Sequence, residues 1–196
     1  MTSDMSEIFR CFGNTPLYEA YHDNEWGRPV HEDQKLFEML ILEGAQAGLS
    51  WETVLKKREA YRTAFDGFDP HKVALYDDTK IAELMANAGI IRNRLKINAA
   101  VMNARLFLDI IDKHGSFDKF IWAYVDYKPI VGHWEQFEDM PTTTPISDKI
   151  SKDLKKMGFK FVGSTIIYSF MQAVGMVNDH LKPCFIYKEI SNGMLG

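Results

Sequence analysis

The sequence predicts an all-α protein. Three observations carry the prediction. From about residue 31 onward, apolar residues recur at helical spacings. Asp and Gly stand where those stretches begin and end. No Asn-Gly turn joins two alternating runs, as a β-hairpin would require.

In chain order, "DQKLFEMLILEGAQAGLS" places Leu36, Phe37, Leu40 and Ile41 on one buried face. "WETVLKKREAYRTAF" continues as a second helix. "DPHKVALY" and "DDTKIAELMANAG" read as short helices, each opened by a capping Asp, and Gly89 ends the second. "RNRLKINAAVMNARLFLDIIDKHG" is a long amphipathic helix stopped by Gly115, and "SFDKFIWAYV" follows. "MPTTTPIS" is a loop. "SDKISKDLKKMG" and "STIIYSFMQAVGMVNDH" are two further helices, the last running to His180. The total is about seven to nine helices.

The 196 residues, 46% apolar and 13% aromatic, suffice for a real core. We expect a single helical unit over 1–196, or two lobes with the central helices at about 31–145 set apart from the terminal segments. No apolar run is long enough to cross a membrane. "MTSDMSEIFR" lacks the regions of a leader, and two cysteines make no disulfide framework, so a reducing, cytoplasmic setting and a monomer are expected. A net charge of −4 argues against a surface coated in positive charge, but leaves room for a local basic patch.

The two cysteines sit near opposite ends, each with a histidine. Cys11 is followed by His22 after eleven residues, and His180 precedes Cys184 by four. On a helix, residues four apart share a face. Together the four offer the Cys2His2 set that Zn²⁺ takes in a closed, structural site. The plain alternative is two buried small apolar residues and two ordinary histidines; spacing alone leaves both open. His31, His71, His114 and His133 have no such partner.

"DLKKMGFKFVGSTIIYSFMQAVG" has the form of a helix-hairpin-helix, with four residues between Gly158 and Gly163. Glycines let a backbone approach a phosphate closely, and the next helix start offers free N–H groups. Ser164 and Thr165 add hydroxyls, and Lys149, Lys152, Lys155, Lys156 and Lys160 surround the turn against Asp148 and Asp153. Such contacts position DNA without reading its sequence. A simple helical corner with a solvated lysine face fits the same residues.

Glu43 falls on the stripe of Leu36 and Leu40. It is therefore either a paired structural acid or the lining of a cavity. Tyr18, Tyr21, Trp26 and Trp51 lie close by in sequence. Aromatic faces with one carboxylate suit a flat, electron-poor ring bearing an exocyclic N–H.

"LYEAYHDNEWG", "LFEMLILEGAQAGLSWETVLKKREAYR", "AGIIRNRLKI", "KKMGFKFVGSTIIYSFMQAVGMVNDH" and the closing His-x3-Cys resemble the bacterial 3-methyladenine DNA glycosylase I family, from roughly Cys11 to Tyr187. The resemblance implies an all-α helix-hairpin-helix glycosylase that removes 3-methyladenine from alkylated double-stranded DNA and holds the free base as product. It places structural zinc on Cys11, His22, His180 and Cys184, and base recognition on Glu43, Tyr21 and Trp51, with Tyr18 nearby. It places the hairpin on "GFKFVG", so DNA contact is expected at Gly158, Lys160 and Gly163, with the Ser164 and Thr165 hydroxyls just beyond. One departure concerns the pocket: the segment after Cys11 is shorter than the family's and carries Phe12 where a tryptophan is expected.

Methylation at N3 makes adenine cationic and weakens its bond to the sugar, so little general acid is needed. The work is to extrude the base, hold it and stabilise an oxocarbenium-like sugar. Glu43 is the expected catalytic residue, as an anion facing a cationic ring. Asp179, beside His180, is assigned to the metal end with no catalytic role. No lysine sits where a Schiff-base nucleophile would, so a monofunctional enzyme is expected. Two rival readings are a sensor that binds alkylated bases without cleavage and a zinc-stapled interaction domain.

Overall fold

Helix starts are set by side chains that accept the first free backbone N–H groups. The structure, a computed structural model, describes residues 8–193. The opening segment read above for a leader lies mostly outside them. α1 (Pro16–Asn24) opens at Thr15, whose hydroxyl accepts from the Tyr18 N–H, with Pro16 in the first turn. α2 (Asp33–Gln46) follows. Ser50 caps α3 (Trp51–Ala64), Asp69 caps α4 (Pro70–Val73) and Asp77 caps α5 (Asp78–Ala86). Both aspartates act as their sequence positions predict. Asn93 caps α6 (Arg94–His114), which Gly115 ends at a left-handed φ of 87°. α7 (Phe117–Trp122) is capped by Ser116, and β1 (Ile130–Val131) comes next. Thr144 and Ser147 form a capping box for α8 (Pro145–Met157), so this helix begins inside the stretch expected to be loop. α9 (Ser164–Ala173), β2 (Val177–Asn178) and α10 (Phe185–Ser191) complete the described chain.

α2 is the axis of the molecule. It is buried on almost every side from Leu36 to Ala45, and α3, α6, α7 and α9 pack around it. Each fully buried Leu or Phe contributes about 1.5–3 kcal/mol, so this helix is held firmly. It carries two buried acids with different fates. Glu38 accepts from the Arg58 guanidinium at 2.6 Å and belongs to an ion-pair network with Glu25 and Arg62. Glu43 is in no ion pair among the described residues.

One helix is added and two expected ends are corrected. α1 is a helix upstream of residue 31, started by Thr15 and Pro16. α5 stops at Ala86, before Gly89, because Asn87 turns back to accept from the Gly89 N–H. α9 stops at Ala173 and not at His180. The break is Gly175, at φ 73°, where a Cβ would stand 2.4 Å from the Arg28 carbonyl carbon. Only glycine lets the two segments pass. The chain then runs extended, and Val177–Asn178 pairs in parallel with Ile130–Val131. His180 and Cys184 therefore lie on an irregular turn, not on one helical face. The described residues hold ten α-helices.

Candidate functional site

α1, α2, α3 and α9 meet around a cleft of about 350 Å³. Its walls are aromatic. Tyr21 is buried, and its ring centre lies 5.5 Å from that of Trp51. The rings of Tyr18 and Phe12, both half-buried, meet at a tilt with centres 4.8 Å apart, and Phe12 meets Trp26 edge-on at 4.9 Å. The shortened segment after Cys11 thus still supplies a pocket wall, through Phe12. The Trp51 indole N–H is buried and meets no acceptor among the described residues.

Glu43 lines the cleft from α2 and is 4% exposed. Burial pushes its carboxyl up to about 8, with no compensating hydrogen bond or cation among the described residues. Burial alone therefore favours the protonated form of this carboxyl near neutral pH. Gln46, one turn further along α2, lines the same space.

The opposite wall comes from α9. Thr165, Tyr168 and Gln172 follow at three and four residues and share one face. Thr165, expected at phosphate, lines this cleft. Tyr168 donates its O–H to Asp179 Oδ2 at 2.5 Å, Gln172 Nε2 donates to the same oxygen at 3.0 Å, and the Trp134 indole donates to Oδ1 at 2.8 Å. Asp179, 2% exposed, thus organises the α9 wall and is outside the Cys/His cluster, contrary to its expected place at the metal end. Gln46, Tyr168 and Gln172 were not singled out from sequence. The one available signal was the spacing of Thr165, Tyr168 and Gln172, three polar side chains along one face of α9.

Behind the Phe12 wall, Cys11, His22, His180 and Cys184 bring their ligand atoms within 4.8 Å of one another. Cys184 Sγ lies 3.4 Å from His22 Nε2 and 3.5 Å from His180 Nδ1, and Cys11 Sγ lies 3.5 Å from His180 Nδ1. A tetrahedral Zn²⁺ with ordinary bond lengths sets an S-to-N edge of about 3.5 Å, so the spacing fits such an ion. The outer ring nitrogens are engaged. His180 Nε2 faces the Trp26 carbonyl at 2.9 Å, and His22 Nδ1 faces Asp23 at 2.8 Å. Those bonds leave the inner lone pairs for a metal. The Cys184 thiol is held well below its ordinary range, first by Cys11 and then by the two imidazoles. This cluster could hold a metal, and it joins the segment before α1 and α1 itself to the turn before α10.

The turn between α8 and α9 is built as the glycines suggest. Gly158 ends α8 at a left-handed φ of 104°, and Gly163 precedes α9 with no side-chain cap over its first N–H groups. A Cβ at Gly163 would meet nothing within 4 Å. The Ser164 hydroxyl is engaged, donating to Asp148 at 2.5 Å and lying 2.9 Å from Ser147 Oγ. Asp153 accepts from Lys149 and Tyr124. Lys152, Lys155, Lys156 and Lys160 are exposed and in no ion pair among the described residues.

The comparisons with known proteins agree with this geometry. A model of the methyladenine glycosylase family matches residues 11–187. The chain is 54% identical to DNA-3-methyladenine glycosylase 1 of Escherichia coli strain K12 over 172 residues, covering 88% of this chain and 92% of that one. Its fold matches a crystal structure of 3-methyladenine DNA glycosylase I with a TM-score of 0.88, at 52% identity over 90% of this chain and 98% of the other. It also matches a variant of 3-methyladenine DNA glycosylase I in complex with 3-methyladenine, with a TM-score of 0.86, at 42% identity over 88% of this chain and 93% of that one. With nearly all of its length matched, from Cys11 to Tyr187, the chain belongs to the methyladenine glycosylase family.

Proposed function

We infer that this chain is a DNA-3-methyladenine glycosylase, which extrudes the damaged base from alkylated DNA and hydrolyses its N-glycosidic bond to leave an abasic site. Glu43 carries the reading: a buried carboxyl with no internal partner, lining an aromatic cleft.

With no cation beside it Glu43 holds its proton, because burial penalises the anion. A cationic methylated base supplies the missing charge. Coulomb attraction then favours the carboxylate, and the proton passes to solvent as the base enters. Unmethylated adenine brings no charge and meets a neutral acid, so selectivity follows from the same group. The aromatic walls offer ring faces, and Gln46 and Gln172 offer amide groups to the base edge. As the C–N bond breaks, its electron pair goes to the base, which leaves neutral. Water adds to the sugar cation and releases its proton to solvent. No residue is assigned to activate that water, and no lysine is needed, so the enzyme is monofunctional.

Cys11, His22, His180 and Cys184 are assigned to one structural Zn²⁺. It would supply no chemistry at the base and only fix the segment that bears Phe12. DNA contact is assigned to the α8–α9 turn, through the N–H groups after Gly163 and the side chain of Lys160. Gly158 shapes the turn. The Ser164 hydroxyl is taken up by Asp148, and the exposed Thr165 lines the cleft. A cytoplasmic location and action as one helical unit accord with this role.

The test is incubation of the protein with a methylated duplex, followed by analysis of released bases. Free 3-methyladenine is expected; tight binding without release would make the chain a sensor. Glu43→Gln keeps the shape and loses the anion. A charge-assisted hydrogen bond is worth roughly 1.5–3 kcal/mol, so about a ten- to hundredfold loss of excision is expected.

A further inference from the structure

Asn103 stands in the middle of α6, 4% exposed, among apolar neighbours. Its carboxamide is used twice on one residue of the α8–α9 turn. Asn103 Nδ2 donates to the Lys160 carbonyl at 2.9 Å, and the Lys160 N–H donates to Asn103 Oδ1 at 2.9 Å. The next residue, Phe161, has a left-handed φ of 53°, uncommon for a side chain with a Cβ. It is held there from both sides. Ser151 bonds the Val162 carbonyl at 2.6 Å, and Phe161 packs on Gly44, where an added Cβ would stand 3.3 Å from the Phe161 Cβ. Gly44 directly follows Glu43.

The same helix also holds the other partner. Lys96 Nζ bonds the Ala45 and Ala47 carbonyls at 2.7 Å each, closing the end of α2. Lys96 and Asn103 are two turns apart on one face, about 10 Å along the axis. α6 therefore fixes the end of the helix bearing Glu43 and the turn bearing Lys160 on one rigid strut.

We propose that Asn103 is a positioning residue for DNA engagement: by pairing with the Lys160 backbone it sets the hairpin turn at a fixed distance from the Glu43 cleft. The phosphate contact and the extruded base are thereby held in one register. This rests on the assignment of the turn to DNA contact. A residue that served stability alone would change the melting temperature and leave the affinities of the folded protein unchanged.

The measurement compares parent, Asn103→Ala and Gly163→Glu for three quantities: binding to methylated duplex, single-turnover excision from it, and binding of free 3-methyladenine. For Asn103→Ala, duplex binding and excision should fall about tenfold, near 1.4 kcal/mol. Free-base affinity should stay parental, and the Lys160 amide should lose hydrogen-exchange protection. Parental duplex binding and excision, or an equal loss of free-base affinity, overturns the proposal. Gly163→Glu places bulk and charge into open space at the turn. If that variant binds duplex like the parent, the DNA assignment of the turn fails. If it weakens binding while Asn103→Ala does not, only the role of Asn103 fails. Should the alanine variant not fold, Asn103→Leu keeps the volume but neither donates to the Lys160 carbonyl nor accepts from its N–H. It should show the same losses in duplex binding and excision, and parental values there overturn the proposal equally.

Discussion

The Tyr21 and Trp51 rings stand 5.5 Å apart with 45° between their planes. A base sandwiched between two rings needs about 7 Å, two contacts of about 3.5 Å. The pair therefore forms a corner. A base entering the cleft stacks on one ring face and abuts the other.

Trp51→Ala removes half of that corner. Stacking on an aromatic side chain is worth about 1–3 kcal/mol, so free 3-methyladenine should bind about ten- to a hundredfold more weakly. Trp51→Phe should keep most of the affinity and the melting temperature, because the indole N–H it deletes has no acceptor in the described protein. Calorimetric titration of both variants checks this. Parental binding by Trp51→Ala would place the stacking face elsewhere.

Glu43 also leaves a mark on stability. Its carboxyl is raised from 4.5 to about 8 in the folded chain. Below pH 4.5 the group is protonated in both states, and its proton-linked contribution is fully present. Between those values the folded chain keeps a proton that the unfolded chain has released. Stability falls as pH rises through the window, by up to about 1.4 kcal/mol per pH unit. Subtracting urea unfolding curves of Glu43→Gln from those of the parent, pH by pH, isolates this slope. A flat difference from about pH 5 to 8 would mean that the carboxyl ionises freely in the fold.

The sequence made the helices and their stops legible where the signal is local. The α2 stripe, the Asp69 and Asp77 caps, and Gly115 and Gly158 all act within a few residues of themselves. Glu43 was legible because a carboxyl on an apolar stripe violates the helical pattern. Its protonation was not, since that depends on the absence of partners from every neighbouring element. The end of α9 was hidden because Gly175 answers to Arg28, far away in sequence. The bonds from Asp179 to Trp134 and from Asn103 to Lys160 are likewise long-range, and no periodicity announces them. The four Cys/His ligands were suggested by spacing only weakly, and with a wrong local geometry. Their gathering depends on the whole fold.

The metal cluster and the cleft share α1 and the residues before it. Cys184→Ala should remove the ligand at the start of α10, which carries no cleft side chain next to it, and cost on the order of 3 kcal/mol or more of metal-linked folding energy. For a chain of this size that is roughly a 6–12 °C drop in melting temperature. Cys11→Ala should do the same and also weaken free-base binding, because Phe12 is bonded directly to Cys11 and meets the Tyr18 ring at 4.8 Å. Metal analysis of the parent should give about one zinc per chain. Zinc-free protein of full stability, or identical base binding by the two variants, would contradict this division of roles.

The lysines around the hairpin differ in availability, and that difference is testable. Lys149 is committed to Asp153 at 3.0 Å and lies over the Tyr124 ring at 4.8 Å. Lys160 is exposed, in no ion pair among the described residues, and its backbone is fixed by Asn103. A lysine that meets a phosphate releases about one counterion, so its removal lowers the salt slope of binding by about one. Lys160→Ala should do so and weaken binding to all DNA sequences alike. Lys149→Ala should leave the slope nearly parental, since its charge already answers a carboxylate. Duplex binding across a salt titration for the two variants decides the matter. Equal slopes for both, or a larger change for Lys149→Ala, would move the phosphate contact off the turn and onto the flank of α8.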